Sequence, residues 1–295
     1  MPAAPVPTRV ALVVHPTRDV RRALDAVVRW TEERGVPLVQ LAVDRDGGRS
    51  LASGGTLEPG DLVLALGGDG TVLSALRAAA PRDAPVLGIA CGSLGALSAV
   101  KAEEVAGALD RVWAGDWTPR SLPALAIGDG SGRPEWAAND FVVVRRRAGQ
   151  VLAELSIDDE LYARVAGDGL IVATALGSSA YSMAAGGPVL AAGTPAFVCT
   201  PLAMHGGSAP PLVVPADATA SVVVQPGYAG FDVEIDGRQR TGAEPRYRFT
   251  LHPGKLSLVT FAGVGRGLAG LRDRGIITDS PRILARDARA AREKG

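Results

Sequence analysis

Asp61-Leu-Val-Leu-Ala-Leu-Gly-Gly-Asp-Gly-Thr-Val-Leu-Ser-Ala-Leu-Arg77 decides the architecture of this chain. Leu62–Leu66 is too short for a lone helix and reads as a buried strand. Val72, Leu73, Ala75, Leu76 and Ala79 then recur at helical spacing, so a strand passes into a helix through glycine. Such a turn leaves backbone N–H groups open near a helix N-terminus, which suits phosphate. No Lys-Ser or Lys-Thr follows the glycines, so this is not a Walker loop, and the dinucleotide fingerprint spacing also fails. Taken alone, Asp69 reads as part of an Asp-Gly turn or as a helix cap.

The flanking sequence repeats the same alternation. Arg9–Pro16 reads as a strand, and Val20, Ala23, Leu24, Val27 and Val28 form one helical face that Asp19 caps and Gly35 ends. Val36–Val43 is a second strand, followed by a Gly/Ser-rich connection from Asp44 to Gly60. Pro85–Ala90 is another strand and runs into a second glycine turn, Gly92-Ser93-Leu94-Gly95; Glu103–Trp113 is helical. Strands alternating with helices predict a parallel, doubly wound sheet. In such sheets ligands collect beyond the C-terminal strand ends, where both glycine turns fall.

After Pro119 the pattern changes to short strand candidates with almost no helix between them. These are 124–127, 141–144, 151–157, 161–165, 170–174, 221–224, 231–235, 247–251 and 256–261. The expectation is an α/β domain over residues 1–118 and a mainly antiparallel, nucleotide-binding β domain over 119–264. The helical tail, 265–295, is expected to pack back on the first domain. Within the second part, Gly177–Pro188 reads as a turn, a short helix and a glycine stop before proline.

Composition excludes several function classes. The 295 residues carry 31 basic and 31 acidic side chains, so no net charge advertises nucleic acid or an anionic membrane. Two cysteines make no disulfide framework, and three scattered histidines lack metal-ligand spacing. Residues 1–9 have no apolar leader core, and no apolar run approaches bilayer length, so a cytoplasmic protein is expected. The three lysines, Lys101, Lys255 and Lys294, all lie outside the glycine loop; a phosphate contact there must come from backbone, metal or arginine.

Three polar clusters carry the candidate chemistry: Gly67-Gly68-Asp69-Gly70-Thr71, Asn139-Asp140, and Asp168–Thr174 continuing into Gly177–Tyr181. Each has a bland reading, as a turn, a hairpin or a helix cap. A serine-hydrolase elbow fails at Ser178 and Ser179 because the flanking glycines are misplaced, which leaves His205 by default a structural histidine. Together the clusters fit phosphoryl transfer, which needs positioned phosphates, charge neutralisation and a group that orients a hydroxyl.

In the order and content of these motifs the chain resembles bacterial NAD kinases. Gly67-Gly-Asp-Gly-Thr71 is similar to that family's GGDGT loop, Asn139-Asp140 to its Asn-Glu/Asp pair, and 168–188 to its most distinctive segment. The resemblance implies that Asp69 is the general base toward the adenosine-ribose 2′-hydroxyl of NAD. It implies that Asn139, Asp140, Asp168, Thr174, Ser179, Ala180, Tyr181 and His205 line the nucleotide site. Backbone at Gly68, Gly70, Thr71, Gly92, Ser93, Leu94 and Gly95 would meet phosphates. ATP or polyphosphate, Mg²⁺ or another divalent cation, and a homodimer or homotetramer are also implied.

The chain departs from the family at Ala96, where an aromatic is usual, and at Leu176, where a hydroxyl is usual. It departs again at Ala166, where a basic residue is frequent and Arg164 shares the strand face, and at Pro210. These departures leave two other readings open: a kinase of another nucleotide or hydroxyl compound, and a non-catalytic NAD- or NADP-binding regulatory protein. A lipid kinase is disfavoured by the lack of a membrane-facing stretch.

Overall fold

The structure is a computed structural model that describes residues 6–42, 49–128, 132–226, 229–240, 243–261, 271–272 and 275–292. Its first part runs β1 (Arg9–Val14), α1 (Arg21–Arg34), β2 (Leu38–Leu41), β3 (Gly54–Gly55), β4 (Asp61–Gly67), α2 (Asp69–Ala79), β5 (Pro85–Ala90), β6 (Val100–Lys101) and α3 (Val105–Trp113). The strands pair in parallel in the order β5-β4-β1-β2-β3. Every residue of β4 is buried, which explains an apolar run without alternation: both faces are covered. On one face, Val20, Ala23 and Val27 of α1 pack with Val10, Leu12, Leu62 and Leu64. On the other, Val72, Leu73 and Leu76 of α2 pack with Ala11, Val13, Val63 and Ala65. Each such side chain contributes roughly 1.5–3 kcal/mol on burial. A bidentate Arg9–Asp61 pair, with both contacts at 2.7 Å and Asp61 1% exposed, fixes the register at the opposite end of β1 and β4 from the glycine turns.

Two local expectations shift. Asp19 does not occupy the cap position of α1: Val20 does, and the Asp19 carboxylate accepts the Arg21 N–H at 3.0 Å from one residue further out. Gly35 ends that helix in the left-handed region, at φ 63°. The second strand covers only Leu38–Leu41, and its expected end at Val43 lies outside the described residues. Residues 44–48 of the Asp44–Gly60 connection and residues 265–270, 273–274 and 293–295 of the tail also lie outside them.

The second part is strand-rich: β7 (Thr118–Gly128), β8 (Glu135–Ala137), β9 (Asp140–Arg145), β10 (Val151–Ile157), β11 (Glu160–Gly167) and β12 (Gly169–Thr174). The short α4 (Tyr181–Ala184) precedes β13 (Ala196–Leu202), β14 (Leu212–Pro215), β15 (Thr219–Pro226), β16 (Phe231–Ile235), β17 (Arg238–Arg240) and β18 (Arg246–Thr260). An antiparallel six-stranded sheet runs β14-β13-β12-β9-β16-β17. The fifteen-residue β18 belongs to the other sheet. It pairs antiparallel with β7 and β15, and parallel with β5 through Ser257–Pro85 and Leu258–Val86. The parallel α/β sheet therefore continues into antiparallel strands from the second half of the sequence. Phe141, Phe197 and Phe249 are fully buried in the core of this half. Residues 263–295 form a separate compact unit, whose described residues include the helix α5 (Pro281–Arg292).

Candidate active site

The loop after β4 begins at Gly68, whose extended backbone precedes the first turn of α2 with no side-chain cap. Asp69 stands in that first turn, where a carboxylate complements the positive end of the helix. Its two oxygens reach across to the second glycine turn: Oδ2 accepts the Ala96 N–H at 2.9 Å and Oδ1 the Leu97 N–H at 3.0 Å. A Cβ at Gly95 would collide with this carboxylate, so only glycine lets the two turns close on each other. At Gly88 in β5 a Cβ would meet the Leu97 carbonyl and Val72, and its absence lets the returning chain lie against the strand. Each Asp69 oxygen takes one backbone bond and keeps acceptor capacity outward. Asp69 and Gly95 are partly exposed, while Gly70, Gly92, Ser93 and Leu94 are exposed. Thr71 is 3% exposed and its hydroxyl has no hydrogen-bond partner.

The loop after β1 joins these turns. His15 Nδ1 accepts the Thr17 and Arg18 N–H groups at 3.2 and 3.0 Å, which folds His15–Arg18 into a tight corner. That corner places the Arg18 guanidinium against both glycine turns.

The Asn139-Asp140 corner is organised by Asp236. This residue adopts φ 49° between β16 and β17 and accepts N–H bonds from Ala138, Asn139 and Asp140 at 3.1, 2.7 and 3.1 Å. Arg77, near the end of α2, donates to the Ile235 carbonyl at 2.7 Å and pairs with Asp236 at 3.3 Å. The helix that carries Asp69 is thus bolted to the corner that carries Asn139, roughly 12 Å along its axis. Burial pushes the Asp140 carboxyl up to about 7, and the facing charges of Asp236 and Glu234 add to it. Burial pushes Asp236 upward too, against the pull of Arg77 and the three N–H donors.

The 168–181 segment meets the same corner. Thr174 is fully buried; its hydroxyl donates to the Ala138 carbonyl at 2.6 Å and accepts the Gly177 N–H at 3.1 Å. Its side chain therefore serves the corner and has no face toward a ligand. Gly177 packs flush on the Asn139 backbone, where a Cβ would clash. Ser178 is buried between the Ala175 carbonyl and the Leu190 N–H, whereas Ser179 is half-buried and Ala180 and Tyr181 are exposed. Asp168 pairs with Arg145 on β9 at 2.5 Å, and His205 Nε2 lies 3.9 Å from the same oxygen. The His205 side chain is 53% exposed beside Asp168.

Sequence reasoning missed Arg18, Arg77, Arg145 and Asp236. The Asp236-Gly237 pair carried the same hairpin signal as Asp168-Gly169, but the arginines had none. Arg164 pairs instead with Glu154 at 3.1 Å on an exposed face, so the neighbouring strand supplies the cation for Asp168. The departures Ala96 and Leu176 have a common reason: both pack against the apolar cluster that α2 builds with Leu97 and Ala138. Pro210 accepts the Tyr162 hydroxyl through its carbonyl at 2.8 Å.

Residues 57–117 match the family profile described as the ATP-NAD kinase N-terminal domain, and 138–261 match the ATP-NAD kinase C-terminal domain. The NAD kinase of Heliobacterium modesticaldum is 35% identical over 232 residues, 75% of this chain and 82% of that protein. The Koribacter versatilis NAD kinase is 35% identical over 240 residues, covering 78% and 84%. The chain belongs to the NAD kinase family. As an NAD kinase it is a phosphotransferase that uses ATP to convert NAD to NADP. The fold agrees with that of yeast NADH kinase complexed with NADH, at a TM-score of 0.74, 20% identity and coverage of 94% and 89%. It also agrees with that of an Archaeoglobus fulgidus NAD kinase in complex with ATP, at 0.66, 21%, 92% and 100%. Among the described residues no helix is long and apolar enough to cross a membrane.

Proposed function

We propose that Asp69 orients and deprotonates the adenosine-ribose 2′-hydroxyl of NAD for attack on the γ-phosphorus of ATP. The observation that supports this reading is the fixed Asp69 carboxylate, partly exposed and held by the Ala96 and Leu97 N–H groups. A positioned acceptor is what a general base must be before its basicity matters. Asn139, Asp140, Asp168, Ser179, Ala180, Tyr181 and His205 are the candidate dinucleotide contacts. Thr174 acts behind them by holding the Asn139 corner. Backbone at Gly68, Gly70, Gly92, Ser93, Leu94 and Gly95 serves the phosphates, as N–H groups near a helix N-terminus do; the Thr71 N–H is already donated to the Gly68 carbonyl at 2.9 Å.

Among the described residues there is no group of three His, Cys, Asp or Glu side chains that could cage a metal. A divalent cation would come with ATP as its counter-ion, and Asp69 is the carboxylate of the first glycine turn. When bound the cation offsets phosphate charge. The division of labour is an α/β part, 1–118, that carries Asp69 and the glycine turns, and a β-rich part, 119–264, that binds the nucleotide. The enzyme is cytoplasmic and a homo-oligomer, a dimer or tetramer. The deciding experiment incubates purified protein with labelled ATP, Mg²⁺ and a panel of acceptors including NAD. Labelled NADP carrying the phosphate at the 2′ position supports the reading, and transfer to another acceptor in preference to NAD overturns it.

A further inference from the structure

Arg18 is the group that the reading above leaves without a task. A Cβ at Gly68 would lie 3.2 Å from its Nη1, and a Cβ at Gly92 would lie 3.1 Å from the same atom. The guanidinium thus rests between the two glycine turns, in close contact with both. Among the described residues no ion pair to a carboxylate engages this guanidinium, although Asp19 beside it pairs with Arg21 at 2.7 Å. Its loop is fixed from behind by His15, so the placement is built rather than incidental. Arg18 is exposed, and the eleven-residue α2 begins directly after Gly68. A planar cation held between two glycine turns at a helix N-terminus suits a phosphoanion. No lysine lies in either turn to supply the charge instead.

The location also separates donor from acceptor. Arg18 leads into α1, which covers one face of the parallel sheet; the Asn139 corner is tied to α2, which covers the other. A phosphate chain gripped by Arg18 enters from the α1 side, while a dinucleotide held at Asn139 and Asp140 enters from the α2 side. We propose that Arg18 grips the terminal phosphates of the phosphoryl donor and spans the two glycine turns as a donor-specific binding residue. The proposal rests on the NAD kinase reaction for its donor but not for the anion site itself.

The test compares wild type with Arg18→Ala and Arg18→Lys by calorimetric titration with ATP, inorganic tripolyphosphate and NAD, alongside steady-state kinetics and thermal unfolding. Loss of a charge-assisted, two-pronged contact predicts about 10- to 100-fold weaker ATP and tripolyphosphate binding in Arg18→Ala. Arg18→Lys is expected to recover part of this, with the NAD dissociation constant and the unfolding midpoint unchanged. The KM for ATP should rise while that for NAD stays put. Unaltered tripolyphosphate and ATP binding overturns the proposal. So does weakening confined to NAD, which would assign the guanidinium to the dinucleotide's own pyrophosphate. Failure of the wild-type protein to make NADP would strike the reaction instead, because the tripolyphosphate titration scores Arg18 without turnover.

Discussion

The two polar regions of the site are held in opposite ways. At the glycine turns, backbone does the holding: two N–H groups grip Asp69, and glycines at 68, 92 and 95 clear the space. At the Asn139 corner, a buried carboxylate does the holding: Asp236 gathers three N–H groups and Arg77. The first region is open and suited to anions. The second is dry and acidic enough that Asp140 is pushed to about 7. A kinase needs both environments within reach of one hydroxyl, one to receive a polyanion and one to bind neutral sugar and base. α2 spans them, with Asp69 at its first turn and Arg77 at its last.

The sharpest way to break this contrast is Asp69→Asn. An amide cannot take the hydroxyl proton, so kcat should fall on the order of 10²–10⁴-fold while calorimetric NAD affinity stays close to wild type. A kcat within a few-fold of wild type would remove Asp69 from the chemistry. Next in size is Asp236→Ala, which orphans three N–H groups and leaves Arg77 without its buried carboxylate. A loss of roughly 3–5 kcal/mol is expected in urea unfolding, because breaking a buried pair costs more than the pair contributes. The KM for NAD should rise with it, since the corner loses its template. An unchanged urea midpoint would show that the corner is held by the strands alone.

The acidity of the second region can be read through pH. Asp140 has a folded value near 7 against about 4 in the unfolded chain, so folding takes up a proton between those values. The stabilisation from neutral Asp140 is full below about pH 4 and is lost as pH rises through 7. Asp140→Asn removes that loss: the variant should gain on wild type progressively from pH 5 to 8 in denaturant unfolding. A constant difference across that range would mean that Asp140 is charged throughout. The smallest effect separates two arginines. Arg164→Ala, which breaks only an exposed pair with Glu154, should change stability by less than about 1 kcal/mol and leave the KM for NAD unaltered. Arg145→Ala, which frees Asp168, should raise that KM several-fold; equal effects from the two would dissolve the distinction.

The strand-to-helix turn at 61–77 was legible because buried parallel strands and amphipathic helices write different periods. The return of the 92–95 turn onto Asp69 was not, because an N–H group leaves no mark in the sequence. Thr174 illustrates the limit from the other side: a hydroxyl between a polar cluster and a glycine turn looks like a ligand, yet two backbone groups claim it. Arg18 and Arg77 were invisible for a related reason. Charged residues in a loop or on a helix are ordinarily solvated, and only the fold shows what they face.

Strand β18 carries a consequence for synthesis. Residues 9–101 supply the parallel strands early, yet the flank of β5 at Pro85 and Val86 pairs with Ser257 and Leu258. A nascent chain must therefore wait for more than a hundred further residues with an unpaired apolar edge, the kind of edge that recruits stray strands. Strand β18 closes that flank, so the first sheet is completed only after residues 257 and 258 have been made.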